Sequence, residues 1–313
     1  MTAARAFLGM THTPILGMVP LPAGIDTELP AAIAAAADKV RAWAPDRIVM
    51  VGPDHYNGFF NELMPAFAIG TEATAVGDYK TMAGPLKVDS AAALGMAEWL
   101  MDRDFDVALS HRMRVDHGFS QNLEQIFGAL DAVPVVPIFL NSVAPPIMRI
   151  KRARALGEEI GRFLDTLPGR TLVIGSGGLS HEPPVPTLAG ADAATRERLI
   201  VKREATQEER DIKTARVRDA GLGFAAGTNN IKQLNPAWDK LWLEALESGN
   251  LDALMGMDEA SIVREAGLSA NESKTWLVAR AAMPAGVPLV SAQRYYREIK
   301  VLIAGYGILF LHT

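Results

Sequence analysis

Apolar residues along this chain fall into two alternating kinds of run. Short blocks closed by turn residues, at 6–10 and 47–52, predict buried strands. Between them the alanine-rich stretch from Pro30 to Ala44, stopped by Pro45, predicts a helix. The alternation continues with a helix over 91–101, a strand over 106–110, a helix over 123–130, a strand over 134–140 and a long helix over 147–167. A strand over 171–175 then runs into a glycine loop. After His181 the pattern changes. Residues 191–220 read as helical and highly charged, with a polar loop over 221–235 behind them. Short helices follow over 238–246, 251–255 and 259–266, then a helix over 272–283 and an apolar, strand-like segment over 301–310. Alternating strands and helices predict βαβ connections, hence an α/β fold: a central, mostly parallel sheet flanked by helices, with a helical insertion in the C-terminal half. With no internal repeat and no linker, residues 1–313 read as a single domain.

The polar residues that close these runs carry the candidate chemistry. Four of the six histidines lie in polar or glycine-rich stretches at or just beyond strand-like runs. They are His12 in Thr11-His12-Thr13-Pro14, His55 in Pro53-Asp54-His55-Tyr56-Asn57-Gly58-Phe59, His117 in Val115-Asp116-His117-Gly118-Phe119, and His181 at the end of Gly175-Ser176-Gly177-Gly178-Leu179-Ser180-His181. Open α/β sheets bind ligands at the carboxyl ends of their strands, and histidine is the commonest metal ligand. A lone histidine after a strand is more often a hydrogen-bonded structural residue, so the inference rests on several converging at once. Asp54-His55 and Asp116-His117 each set a carboxylate beside an imidazole, although sequence neighbours need not touch. The loop Gly175–Gly178 fails the dinucleotide spacing because Ser180 stands where the third glycine belongs. Gly178-Leu179-Ser180-His181-Glu182 fails the nucleophile-elbow pattern because Glu182 replaces its last glycine. These glycines are better read as letting backbone approach the site closely while delivering His181. His111, His312 and the Arg294–Arg297 segment read as structural or surface residues.

Composition narrows the chemistry. The chain has 49% hydrophobic and 21% charged residues, as an ordinary globular protein does, and a formal net charge of −5 gives no reason to expect a nucleic-acid partner. It has no cysteine, which excludes disulfides, zinc-thiolate sites, iron–sulfur clusters and cysteine nucleophiles. Any metal must then be held by imidazole, carboxylate or carbonyl groups. No run approaches the roughly 20 apolar residues of a membrane span, and the apolar run at 6–10 is too short for a signal peptide core. A cytoplasmic enzyme without a membrane partner is expected.

The four histidine stretches, with Glu272-Ser273-Lys274-Thr275-Trp276, stand in an order and spacing that resembles the type III extradiol ring-cleavage dioxygenases, the family of the protocatechuate 4,5-dioxygenase catalytic subunit. The resemblance covers essentially the whole chain. It implies an iron(II) centre held by His12, His55 and Glu272, the two-histidine, one-carboxylate set of non-haem iron oxygenases, with positions open for a catechol and dioxygen. It implies that His181 acts as base and His117 as acid, a division two imidazoles can sustain if their surroundings set their pKa values apart. The implied substrate is a 3-substituted catechol with a short carboxylated chain, such as 3-(2,3-dihydroxyphenyl)propionate or its cinnamate analogue, and the family's tendency implies a homo-oligomer. Two readings compete: a zinc- or manganese-dependent hydrolase, against which the lack of an H-E-x-x-H motif counts, and a non-enzymatic binding protein on the same fold, against which all five candidate residues count.

Overall fold

The computed structural model describes residues 4–313. In chain order the strands are β1 (Ala4–Met10), β2 (Arg47–Gly52), β3 (Phe67–Gly70), β4 (Ala73–Val76), β5 (Ala83–Pro85), β6 (Ala108–Ser110), β7 (Met113–Val115), β8 (Val135–Leu140), β9 (Arg170–Ser176), β10 (Val290–Ile299) and β11 (Ala304–His312). The α-helices are α1 (Ile25–Trp43), α2 (Ser90–Met101), α3 (His117–Phe127), α4 (Ile150–Leu164), α5 (Ala193–Ile200), α6 (Gln207–Ala226), α7 (Pro236–Ser248), α8 (Glu259–Ala266) and α9 (Ser273–Ala281). None of these helices is long and apolar enough to cross a membrane.

Eight strands form one sheet in the order β10-β11-β1-β9-β2-β8-β3-β6, and β5-β4-β7 form a smaller one. The central strands β1, β9, β2 and β8 are parallel and buried nearly throughout, as expected of apolar runs covered on both faces. Antiparallel pairing appears outside this centre: β11 on β1, β10 on β11 and β3 on β8. Alternation along the strands divides the core. Phe7, Val49 and Val173 pack with α2, α4 and α9, whereas Leu8, Met50 and Ile174 pack with α1 and α3.

Several boundaries differ from the sequence-based expectation. Helix α1 starts at Ile25, five residues before Pro30, with Asp26 and Glu28 in its first turn. Pro30 is the sixth residue of the helix, so its missing N–H forgoes one bond, to the Asp26 carbonyl, close to the amino end. Helix α6 continues to Ala226 before Gly227 ends it, so the expected loop begins later. The Arg294–Arg297 segment, expected as a surface stretch, belongs to the edge strand β10, with Arg294 and Arg297 exposed and Tyr295 buried.

Helix α9 is a buried helix that crosses the sheet face close to β1 and β9. Trp276, fully buried, gives its indole N–H to the Gly177 carbonyl at 3.0 Å. A Cβ at Gly175 would stand 2.5 Å from the Trp276 Cα, so glycine is what lets α9 lie this close to β9. That approach carries Glu272, at the end of the 3-10 turn Leu268–Glu272, to the carboxyl edge of the sheet.

Candidate active site

β9 lies between β1 and β2, so the segments leaving their three carboxyl ends are neighbours. Those segments deliver His12, His181 and His55, and α9 brings Glu272 among them. The Glu272 carboxylate, 1% exposed, meets three imidazole Nε2 atoms: His55 at 3.2 Å, His181 at 3.4 Å and His12 at 3.5 Å. The Gly178 N–H also donates to it at 3.1 Å. Burial alone would push the Glu272 carboxyl up, but His181, His55 and His12 hold it well below the usual carboxylate range.

Each imidazole has its other nitrogen engaged. His55 Nδ1 lies 3.0 Å from Asp116 Oδ2, which also accepts the His55 backbone N–H at 2.7 Å and the Asn57 amide at 3.0 Å. His12 Nδ1 lies 3.0 Å from the Ser176 hydroxyl, which accepts from Asn122 at 2.9 Å. His181 Nδ1 donates to the Leu179 carbonyl at 2.9 Å. A Cβ on Gly178 would sit 2.4 Å from the His181 ring, so the bare glycine makes room for that orientation. Fixing Nδ1 in this way leaves Nε2 aimed at a shared centre, the arrangement by which outer partners set the tautomer of a metal-binding histidine. Burial lowers His12 to about 3, aided by His117 and His55 and opposed by Glu272, which keeps its ring neutral with a lone pair to offer. In His55, burial pulls the pKa down, but Asp116 and Glu272 prevail and raise it well above the ordinary value.

His117 arrives differently. It does not follow a strand of the large sheet; it comes after β7 of the small one and is the first residue of α3. Asp116 caps that helix by accepting the Gly118 N–H at 2.9 Å. The His117 ring stacks on His55 with centroids 4.5 Å apart and stands edge-on to His12 at 5.3 Å. The adjacent Asp–His pairs of the sequence are re-partnered in space. Asp116 serves His55, while His117 bonds Asp78 through its backbone N–H at 2.8 Å and through Nδ1 at 2.7 Å. Asp54 instead accepts the backbone N–H groups of Asn57, Gly58 and Phe59, fixing the loop that carries His55. Burial and Asp116 push its carboxyl up to about 7 against those bonds.

Asp78, Ser176, Asn122 and Lys213 were not singled out from sequence. Lys213 donates to the His55 carbonyl at 3.1 Å. Asp78 stands 39 residues before His117, and the turn after Gly77 that carries it gives no sign of that partner. His111 bonds Thr71 and His312 bonds the terminal carbonyl, both away from the cluster.

Among the described residues, two groups could hold a metal ion through mutually close atoms: His12, His55 and His117, and Asp78, Asp116 and His117, in each case with all donor atoms within 4.8 Å of one another. In the second, Asp78 and Asp116 already use their oxygens on backbone N–H groups and imidazoles. In the first, His117 competes with Glu272 for the third place. Glu272 is the one that all of His12, His55 and His181 face, and it supplies the charge a divalent ion needs. The centre opens into a cavity of about 340 Å³, roofed by α5, α6 and the segment between them and walled by Tyr56, Tyr79 and residues 302–304.

The sequence is similar to proteins of known activity. A family model described as the catalytic LigB subunit of aromatic ring-opening dioxygenase matches residues 6–307. A 2,3-dihydroxyphenylpropionate/2,3-dihydroxicinnamic acid 1,2-dioxygenase of Comamonas testosteroni is 58% identical over 99% of this chain and 98% of its own. Proteins of the same description from Cupriavidus pinatubonensis and a Rhodococcus species are 47% and 46% identical, over 95% and 97% of this chain and 95% and 96% of theirs.

Proposed function

The chain belongs to the family of catalytic LigB subunits of aromatic ring-opening dioxygenases, and from that premise we propose that it opens the ring of a 3-substituted catechol beside its diol, using dioxygen. The substrate is 3-(2,3-dihydroxyphenyl)propionate or 2,3-dihydroxycinnamate, the pair that the names of its relatives carry. The observation that carries the reading is the buried carboxylate of Glu272, faced by three imidazoles whose outer nitrogens are already tethered.

His12, His55 and Glu272 would hold iron(II): two imidazole nitrogens and one carboxylate oxygen suit that ion, and a chain without cysteine offers no softer set. When bound, the metal supplies a centre at which a catechol can chelate through both oxygens while dioxygen is activated beside it. The protein's own contribution is orientation and proton transfer. His181, whose basicity Glu272 raises against the opposing effect of burial, is placed to take a proton from the catechol. In this reading His117, held by Asp78 and stacked on His55, returns one as the ring opens.

β11, ending at His312, pairs with β1, which begins at Ala4, so the two ends of the chain complete one sheet; this supports a single catalytic domain over 1–313. The reading includes a cytoplasmic homo-oligomer. Metal analysis together with oxygen uptake tests it. We expect one iron per chain, one O2 consumed per 3-(2,3-dihydroxyphenyl)propionate, and a yellow product; a colourless muconate would place the cut between the hydroxyls and overturn it.

A further inference from the structure

Resting on that reading, we propose that Arg216 on α6 is the specificity-determining residue that anchors the substrate's side-chain carboxylate. A catechol with a charged tail entering this cavity has to leave that charge near a cation, because a buried unpaired carboxylate is costly. Five cations line the cavity: Arg198, Arg203, Arg210, Lys213 and Arg216. Four are engaged. Arg203 forms a two-pronged ion pair with Glu209 at 2.7 and 2.8 Å, so its charge is already balanced. Arg210 donates to the Val76 and Ala205 carbonyls, Lys213 to the His55 carbonyl, and Arg198 to the Thr195 hydroxyl one turn back on its own helix. Among the described residues, Arg216 has neither a hydrogen-bond partner nor an ion-pair partner, so its whole guanidinium fork is available.

Its position fits the tail rather than the diol. Arg216 follows Lys213 by one turn of α6, so the two lie on one face of the helix, and Lys213 marks where that face reaches the His55 loop. Lys213 also stands over the Tyr79 ring at 5.7 Å, and Tyr79 is edge-on to His117 at 4.9 Å. Arg216 is close enough for its charge to act on the Tyr79 hydroxyl, opposing the upward push of burial, Asp78 and Asp116. The series His117, Tyr79, Arg216 therefore leads from the proton-transfer groups outward along one wall. A diol held at the inner end puts its three-carbon tail beside Tyr79 and its carboxylate toward Arg216. Arg216 is itself exposed and Ile212 is 61% exposed, so the pair with the tail forms at the solvent-facing part of the cavity, beside the buried Val217 and Ile303. Arginine offers a planar fork that matches a carboxylate with two parallel bonds.

The test compares kcat/KM for 3-(2,3-dihydroxyphenyl)propionate and for uncharged 3-propylcatechol in wild type, Arg216→Gln and Arg216→Lys. We expect Arg216→Gln to lower the ratio of the two about 10- to 100-fold, the size of one lost charge-assisted contact. The loss should fall mainly in KM, because the anchor grips substrate and transition state alike, and Arg216→Lys should recover part of it. Calorimetric binding of 3-phenylpropionate, which has the tail without the diol, should weaken by a similar factor in Arg216→Gln. A wild-type preference for the charged substrate that survives intact in Arg216→Gln overturns the anchor and leaves the proposed reaction standing. A wild type that opens neither ring overturns both.

Discussion

The floor of the cavity and its roof are built on opposite principles. The floor, at the carboxyl ends of β1, β9 and β2 with α9 behind them, is almost wholly buried, and most of its polar atoms are paired. Asn122, Ser176, Asp116 and Glu272 are each at most 1% exposed and bonded to backbone or to another site residue. The roof is charged and thinly packed: α5 buries only Leu199, and α6 only Val217, Gly221 and Phe224. A buried polar network with nearly all its groups paired fixes one geometry, since displacement strands further donors or acceptors away from water; the Asn122 Oδ1 is the one atom of these four side chains left without a partner. A roof held by a few side chains can shift at low cost. In the proposed reading, proton and metal chemistry fall to the rigid half and substrate selection to the adaptable one.

The largest expected effects come from breaking the floor. His12→Ala, His55→Ala or Glu272→Ala should each abolish metal retention together with ring cleavage. Iron content after gel filtration checks this, and a His55→Ala protein with full iron and activity would remove the proposed centre. Next in size are His117→Ala and His181→Ala. These should keep the metal and lose about 10²–10⁴-fold in kcat, the usual worth of a general acid or base. The same pair separates the two possible donor sets. Loss of metal from His117→Ala would assign the centre to His12, His55 and His117 and make Glu272 the outer partner.

The same contrast governs what the sequence disclosed. Strands β1, β2, β8 and β9 were legible because buried parallel strands are near-continuous apolar runs, and the histidine stretches stand directly behind three of them. The order of those stretches with Glu272 carried the family resemblance. Asp78 was not legible, since a carboxylate that meets its histidine 39 residues later leaves no local spacing to detect. Nor was the pairing of Asp116 with His55 rather than with its neighbour His117: the capping geometry of α3 turns one oxygen to Gly118 and the other to the His55 loop. β4, β5 and β7 are three or four residues long, too short for an alternating pattern to register. In the roof, α5 and α6 were anticipated as one charged helical region, but their few core contacts gave no periodicity from which to read the cavity face.

The smallest effect should come from the roof, and a matched pair of truncations measures it. Leu8 in β1 and Leu199 in α5 are both nearly inaccessible, at 0% and 4% exposure. Leu8→Ala leaves a hole between β1 and the α1–α3 layer that rigid neighbours cannot fill, so a loss of about 2–5 kcal/mol in global stability is expected. Leu199 is the one buried side chain of α5, and the helix end is otherwise tied down by backbone bonds from Asn61 and Glu62 to the Leu199 and Ile200 carbonyls, at 2.9 and 2.8 Å. Leu199→Ala therefore loosens a local unit that can open without unfolding the sheet. Its global cost should be about 1 kcal/mol or less, because local and global opening are separate equilibria. Loosening should instead appear as faster proteolysis within 182–206 and a KM raised a few-fold, with iron content and kcat near wild type. Equal losses of denaturant stability in the two variants would mean that roof and floor unfold together, and the division of labour between them would fall.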